Sequence, residues 1–163
     1  MTGSASTIVL GLGNLLLADE GVGVRAVQRL VDDPRVPSDV TLVDGGTLGL
    51  ELLSYAAEAS RLLILDAADA GLAPGTVMRL GSGDLKGLAG GSTVHQLGAA
   101  DLLATMRLSG HTPRDVVLLG VQPASTRLCV DLSLVVQASL NTLVEAAVAQ
   151  LVAWEVERTA DYA

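Results

Sequence analysis

The stretch that decides the fold is IVLGLGNLLLADEGVGVR, which spans residues 8–25. Its first residues form a short apolar run, which is typical of a strand covered on both faces. Gly11 and Gly13 allow a tight turn after this strand, at positions where a side chain would clash. Asp19 and Glu20 then follow three consecutive leucines, and carboxylates beside apolar residues need a partner. The stretch therefore predicts a strand, a glycine turn and two acids at the start of a helix.

The composition is that of one compact domain, which we expect to span residues 1–163. Half of the residues are hydrophobic, yet the aromatic residues are one tryptophan and two tyrosines. We therefore expect a core built from leucine, valine and alanine. The net charge of −8 argues against nucleic acid or an anionic membrane as a partner.

The expected compartment is the cytoplasm. A single cysteine rules out an internal disulfide, which fits a reducing environment and is also compatible with an exported protein that has no disulfides. Residues 1–6 lack the basic and apolar regions of a signal peptide. No apolar run reaches the length of a membrane span.

Apolar runs alternate with helical patterns along the chain. This alternation predicts a mostly parallel sheet of the α/β class. The strand at 76–80 follows the third strand after a short link, so we expect the two to pair antiparallel. Strands are predicted at 8–12, 40–43, 62–65, 76–80 and 116–121, and helices at 20–31, 48–59, 93–108 and 133–157.

Acidic residues follow three of the predicted strands. Glu20 comes after the first strand, Asp44 ends the second and Asp66 ends the third. The carboxyl ends of parallel strands share one edge of a sheet, where ligands bind at the point of strand-order reversal. His95 follows a glycine-rich loop and opens a predicted helix, whose dipole favours the neutral, metal-binding imidazole. Two carboxylates and a histidine predict a site for a divalent transition metal.

Each of these residues also has a structural interpretation. Asp19 is predicted to be a helix cap rather than a ligand. The position of Glu20 fits a metal ligand and an acid that stabilises the start of a helix equally well. Asp44 lies in a sequence more typical of a turn, whereas Asp66, after a fully apolar strand, favours chemistry. Asp69 is interpreted as a loop residue, His111 as a surface turn residue and Cys129 as a buried small side chain.

The glycine turn also raises the alternative of a nucleotide-binding module. Gly11 and Gly13 match the first two glycines of the dinucleotide fingerprint, but Leu16 replaces the third. Additional residues separate the glycines from the helix, so a pyrophosphate would lose the helix amides. This alternative is therefore the weaker one.

An ordered set of short motifs covers nearly the whole chain and resembles the hydrogenase maturation endopeptidases, which process the large subunit of nickel–iron hydrogenases. Any one motif is weak, and their order along the chain carries the resemblance. They are GLGN at 11–14 with DEGVGVR at 19–25, VDGGTLG at 43–49, ILDA at 64–67 with PGT at 74–76, HQ at 95–96 with DLL at 101–103, GVQP at 120–123 and LS at 132–133.

The resemblance implies a three-layer fold, with a twisted five-stranded sheet and helices on both faces. It places the metal-binding residues of the family on Glu20, Asp66 and His95, and a further functional aspartate on Asp44. The family often has Ser-Pro immediately before the histidine, whereas this chain has Thr93-Val94. A capping residue is kept there and the rigid proline is lost.

The activity implied by the resemblance is removal of the C-terminal tail from the nickel-loaded precursor of a hydrogenase large subunit. The nickel would come with the precursor, and other divalent metals could occupy the site in vitro. The resemblance leaves open whether the metal only marks a ready precursor or also polarises the scissile carbonyl or activates water. A non-catalytic assembly factor that recognises the loaded subunit is the alternative.

Overall fold

A computed structural model describes residues 6–46, 51–85 and 99–163 of the chain. The predicted order of strands and helices is confirmed in these ranges. The elements are β1 (Thr7–Leu12), a 3-10 helix (Ala18–Gly21), α1 (Val22–Val31), β2 (Val40–Gly46), α2 (Leu52–Ala57), β3 (Arg61–Ala67), β4 (Val77–Gly81), α3 (Ser82–Leu85), α4 (Ala99–Leu108), β5 (Asp115–Val121) and α5 (Leu134–Asp161).

The five strands form one sheet in the order β2-β1-β3-β5-β4. Strands β1, β2, β3 and β5 are parallel and β4 is antiparallel, which confirms the predicted mostly parallel five-stranded sheet. The prediction that the fourth strand pairs with the third was wrong, because β4 pairs with β5. Both edges of β3 are already occupied by β1 and β5, so the short link carries the chain past β5 to the sheet edge.

Alternate residues of the buried strands feed two separate apolar layers, as the pleat of a strand requires. One layer packs under α1 and α5, and the other packs under α2 and α4, so helices cover both faces. The strand residues under α1 and α5 are Val9, Leu63, Leu65, Val117, Leu119 and Val121. Those under α2 and α4 are Ile8, Leu10, Leu12, Leu62, Ile64, Val116 and Leu118.

Several predicted boundaries change. The first helix begins with the 3-10 turn, and its last residue, Val31, is 64% exposed. The glycine-rich stretch begins with the end of β4 and the short helix α3, and its remainder from residue 86 lies outside the described residues. The starts of the helices predicted at 48 and 93, with the capping residue expected at Thr93, also lie outside them.

One helix of the described ranges, α5, is long and apolar enough by length and composition to cross a membrane. It has 28 residues, and eight of them are buried against the sheet and α1. A core helix of a globular domain has the same length and apolar stripe.

The start of α1 lies directly against the ends of β1 and β3. A Cβ atom at Gly23 would lie 2.1 Å from the carbonyl oxygen of Leu65 and 2.6 Å from that of Leu12. Only glycine permits this approach of a helix to two strands. The approach brings the turn before α1 next to the end of β3.

We predict that Gly23→Ala destabilises the protein by about 3 kcal/mol, because the new methyl group must push the helix off two backbone carbonyls. Urea unfolding measures the change. The matched control is Gly83→Ala, where a Cβ would meet no atom within 4 Å. Equal stability of the two variants would contradict the close approach.

Candidate active site

The strand order reverses between β1 and β3, since the chain continues from β1 to β2 on one side and returns to β3 on the other. This is the switch point at which open α/β sheets bind ligands. Glu20 lies in the 3-10 helix that follows β1, and Asp66 is near the carboxyl end of β3. Both side chains are half-buried. The structure thus brings two of the predicted site residues to one place.

Asp66 has a strongly perturbed acidity. Burial raises the pKa of Asp66 to about 7. The backbone N–H of Ala67, which donates to Asp66 Oδ1 over 2.8 Å, acts to lower it, and the negative charge of Glu20 raises it further. A carboxylic acid that titrates near neutral pH beside a second carboxylate is typical of functional sites. The pair can share a proton or accept a divalent cation through its oxygen atoms.

The glycine turn holds Glu20 in place through the backbone. Gly13 has a φ of +122°, and a Cβ there would lie 1.6 Å from the carbonyl oxygen of Glu20. The N–H of Glu20 donates to the carbonyl of Leu17 over 3.1 Å. The space beside the glycine is therefore filled by the protein itself. This turn presents a carboxylate, and it leaves no cradle for a phosphate.

The other two predicted site residues are placed differently. Asp44 is exposed near the end of β2, opposite Gly11 of the neighbouring β1. It therefore lies at the same edge of the sheet, one strand away from the switch point. His95 lies outside the described residues. Within residues 6–46, 51–85 and 99–163, no three His, Cys, Asp or Glu side chains are grouped closely enough to hold a metal ion.

Asp19 is not the helix cap that the sequence predicted. Its carboxylate is fully buried and accepts four hydrogen bonds from a distant segment. Oδ2 accepts from the N–H groups of Ala124 and Ser125 and from the hydroxyl of Ser133, over 2.8–2.9 Å. Oδ1 accepts from the N–H of Ser133 over 2.7 Å. Asp19 thereby ties the turn that carries Glu20 to the 124–133 segment, and no local sequence signal indicates this role.

Backbone hydrogen bonds reinforce this tie. The N–H of Ala18 donates to the carbonyl of Cys129 over 2.7 Å, and the N–H of Cys129 donates to that of Leu16 over 2.9 Å. Ala18 has a φ of +46°, which is unfavourable for a residue with a side chain and persists only where its surroundings impose it. Cys129 is half-buried, rather than buried as predicted, and His111 is exposed as predicted.

We predict that Asp19→Asn destabilises the protein by about 3 kcal/mol, more than the ~1 kcal/mol of a lost cap. Every partner of the carboxylate is a donor, so the amide NH₂ of asparagine must face a donor in either orientation. Chemical denaturation measures the loss. Asp131→Asn, at an exposed position of the same segment, is the control. A loss no larger than that of the control would contradict the buried network.

We also predict that Asp66→Asn stabilises the metal-free protein at neutral pH. Since the folded state keeps a proton on Asp66 that the unfolded chain releases between about pH 4 and 7, the free energy of unfolding falls as pH rises through this window. Chemical unfolding of the wild type and of Asp66→Asn at about pH 5 and about pH 8, with chelator present, measures the difference between their free energies of unfolding. This difference should be larger at the higher pH.

Asp69→Asn is the control with the opposite sign. The Gln122 amide and the Gly71 N–H lower the pKa of Asp69, so the charged form contributes stability that is lost as pH falls. This variant should therefore be less stable than the wild type near neutral pH. An Asp66→Asn difference that does not change with pH would contradict the raised pKa.

Known proteins resemble this chain in sequence and in fold. The hydrogenase maturation protease family model matches residues 24–150. The hydrogenase expression/formation protein HupD of Rhodobacter capsulatus is 39% identical over 93% of this chain and 74% of its own length. HupM of Azotobacter chroococcum is 45% identical over 76% of this chain, which spans 61% of that longer protein.

The fold comparison agrees. The hydrogenase maturating endopeptidase HybD of Escherichia coli superposes with a TM-score of 0.81 at 38% identity, over 90% of this chain and 91% of that one. The sequence match and the superposition with HybD point to the same family of proteins. The chain belongs to the hydrogenase maturation protease family.

Proposed function

We propose that this protease removes the C-terminal tail of the nickel-loaded precursor of a nickel–iron hydrogenase large subunit. The observation that carries the proposal is the pair of half-buried carboxylates, Glu20 and Asp66, at the switch point of a maturation protease fold. The names of the relatives, which refer to hydrogenase formation and maturation, support the substrate class.

In this proposal the nickel ion belongs to the substrate. Glu20 and Asp66 supply oxygen ligands and His95 supplies an imidazole nitrogen, a mixed set that suits a divalent transition metal. Without a cation the two acids repel each other, and Asp66 stays largely protonated below its pKa of about 7. A loaded precursor relieves this repulsion, whereas an empty precursor does not. The pair therefore discriminates between them by charge.

Hydrolysis also needs a water molecule and an acceptor for its proton. Asp44 is exposed near the end of β2 and can contact a peptide that crosses the carboxyl edge of the sheet. It serves in the proposal to orient or deprotonate the attacking water. The same metal can polarise the scissile carbonyl, so that recognition and chemistry use one ion.

We predict that Glu20→Gln, Asp66→Asn and His95→Ala each slow tail removal on the order of 100-fold or more, since each removes a ligand for the substrate metal. The measurement is the intact mass of purified precursor large subunit before and after incubation, with and without nickel in the precursor. Among the wild type and these three variants, only the wild type with loaded precursor should release the tail at full rate.

Glu58→Gln is the control, because Glu58 is exposed at the end of α2 and its carbonyl accepts from Ser6 at the opposite edge of the sheet. It should cleave as the wild type does. A wild-type protein that binds the loaded precursor and leaves its tail in place would instead support a non-catalytic assembly factor. Cleavage at equal rates without nickel would contradict the role given to the metal.

A further inference from the structure

A buried glutamine lies next to the site and is not one of the metal-binding or water-activating side chains. Gln122 directly follows β5 and is only 6% exposed. Its Oε1 accepts from the N–H groups of Ala70 and Leu72 over 2.8 and 3.2 Å. Its Nε2 donates to Oδ1 of Asp69 over 3.0 Å. All three side-chain hydrogen bonds therefore go to one turn, residues 69–72.

This 69–72 turn starts three residues after Asp66, on the β5 side of the site. The N–H of Ala68 donates to the carbonyl of Val121 over 3.0 Å, and the N–H of Gly75 donates to the carbonyl of Gln122 over 2.8 Å. These backbone bonds anchor the chain on both sides of the 69–72 turn, at Ala68 and at Gly75, without the glutamine side chain. The side chain of Gln122 thus fixes only the turn between them.

The turn itself contributes nothing to the core. All four of its residues are exposed, and Leu72 keeps 45% of its surface in contact with solvent. Burying an amide is unfavourable unless it is hydrogen-bonded, and an apolar side chain of the same length would fill the space. Gln122 is buried, yet the turn that it orders is exposed and adds nothing to the core. We therefore attribute the order of the turn to a contact that the turn makes with another molecule.

We propose that Gln122 is a positioning residue that holds the 69–72 turn as a preformed contact for the precursor polypeptide beside Asp66. The inference rests on the proposed function and adds to it the part of the protein that binds the polypeptide near the metal. Strand β3, which carries Asp66, lies between β1 and β5. The backbone of Glu20 packs against Gly13 just after β1, and the turn is bonded to Gln122 just after β5, so a chain crossing the sheet edge meets both. Ordering the turn before binding removes an entropic penalty from association.

The test is the rate of tail removal as a function of the concentration of nickel-loaded precursor. Gln122→Met keeps the shape of the side chain and removes its hydrogen bonds. We expect its KM to rise on the order of tenfold while kcat stays within about twofold of the wild type. Gln150→Met, which removes a glutamine that accepts from Arg79 on β4, is the control and should leave KM unchanged.

A charge exchange separates positioning from a loss of folding. Gln122→Glu keeps an acceptor for the turn but places a second carboxylate against Asp69, so its KM should rise as well. Adding Asp69→Asn restores a donor and an acceptor between the two side chains, and KM should fall back toward the wild-type value. A double variant no better than Gln122→Glu would overturn the proposal.

Hydrogen exchange tests the wild type directly. The amides of Ala70 and Leu72 should be protected although both residues are exposed, and Gln122→Met or Gln122→Glu should remove this protection. Free exchange in the wild type, an unchanged KM in Gln122→Met, or a loss of kcat alone would each overturn the role of Gln122. A wild type that leaves the tail on the precursor would contradict the proposed function as well.

Discussion

The site depends on one buried carboxylate, that of Asp19. It has no exposed surface, and its four hydrogen-bond donors belong to Ala124, Ser125 and Ser133, which lie 105 to 114 positions further along the chain. A buried carboxylate without such donors would be unfavourable by several kcal/mol, which is a large part of a typical domain's net stability. The turn around Asp19 therefore forms only when the late part of the chain is folded. Because Glu20 is the next residue, its position follows from the same network.

Glu20 and Asp66 behave in the opposite way, since their arrangement opposes stability. Burial and the neighbouring charge keep a proton on Asp66 that the unfolded chain would release, so the free energy of unfolding is reduced at neutral pH. The two apolar layers of the sheet offset this loss. A site that is destabilised when empty gains most from a cation that neutralises it. Stability and function conflict at this pair, as they often do in active sites.

Polar side chains give the carboxyl edge of the sheet its order. Connections at such edges are usually the mobile part of a domain, and they also carry function. Here the carboxylate of Asp19 fixes the 124–133 segment, and the amide of Gln122 fixes the 69–72 turn. Both belong to short motifs of the sequence whose purpose local spacing did not indicate. Loops that are held before the substrate arrives can place groups around a metal more precisely than free loops can.

The sequence by itself determined the α/β class, the order of strands and helices, and the delivery of Glu20 and Asp66 to one sheet edge. These features follow from apolar periodicity and from the common direction of parallel strands, which are local or topological rules. Only the tertiary structure decided that β4 pairs with β5, that Asp19 is a buried anchor and that Gln122 orders a turn. Those outcomes depend on which edges are already occupied and on hydrogen bonds between residues 50 to 114 positions apart, and neither leaves a pattern in a local stretch of sequence.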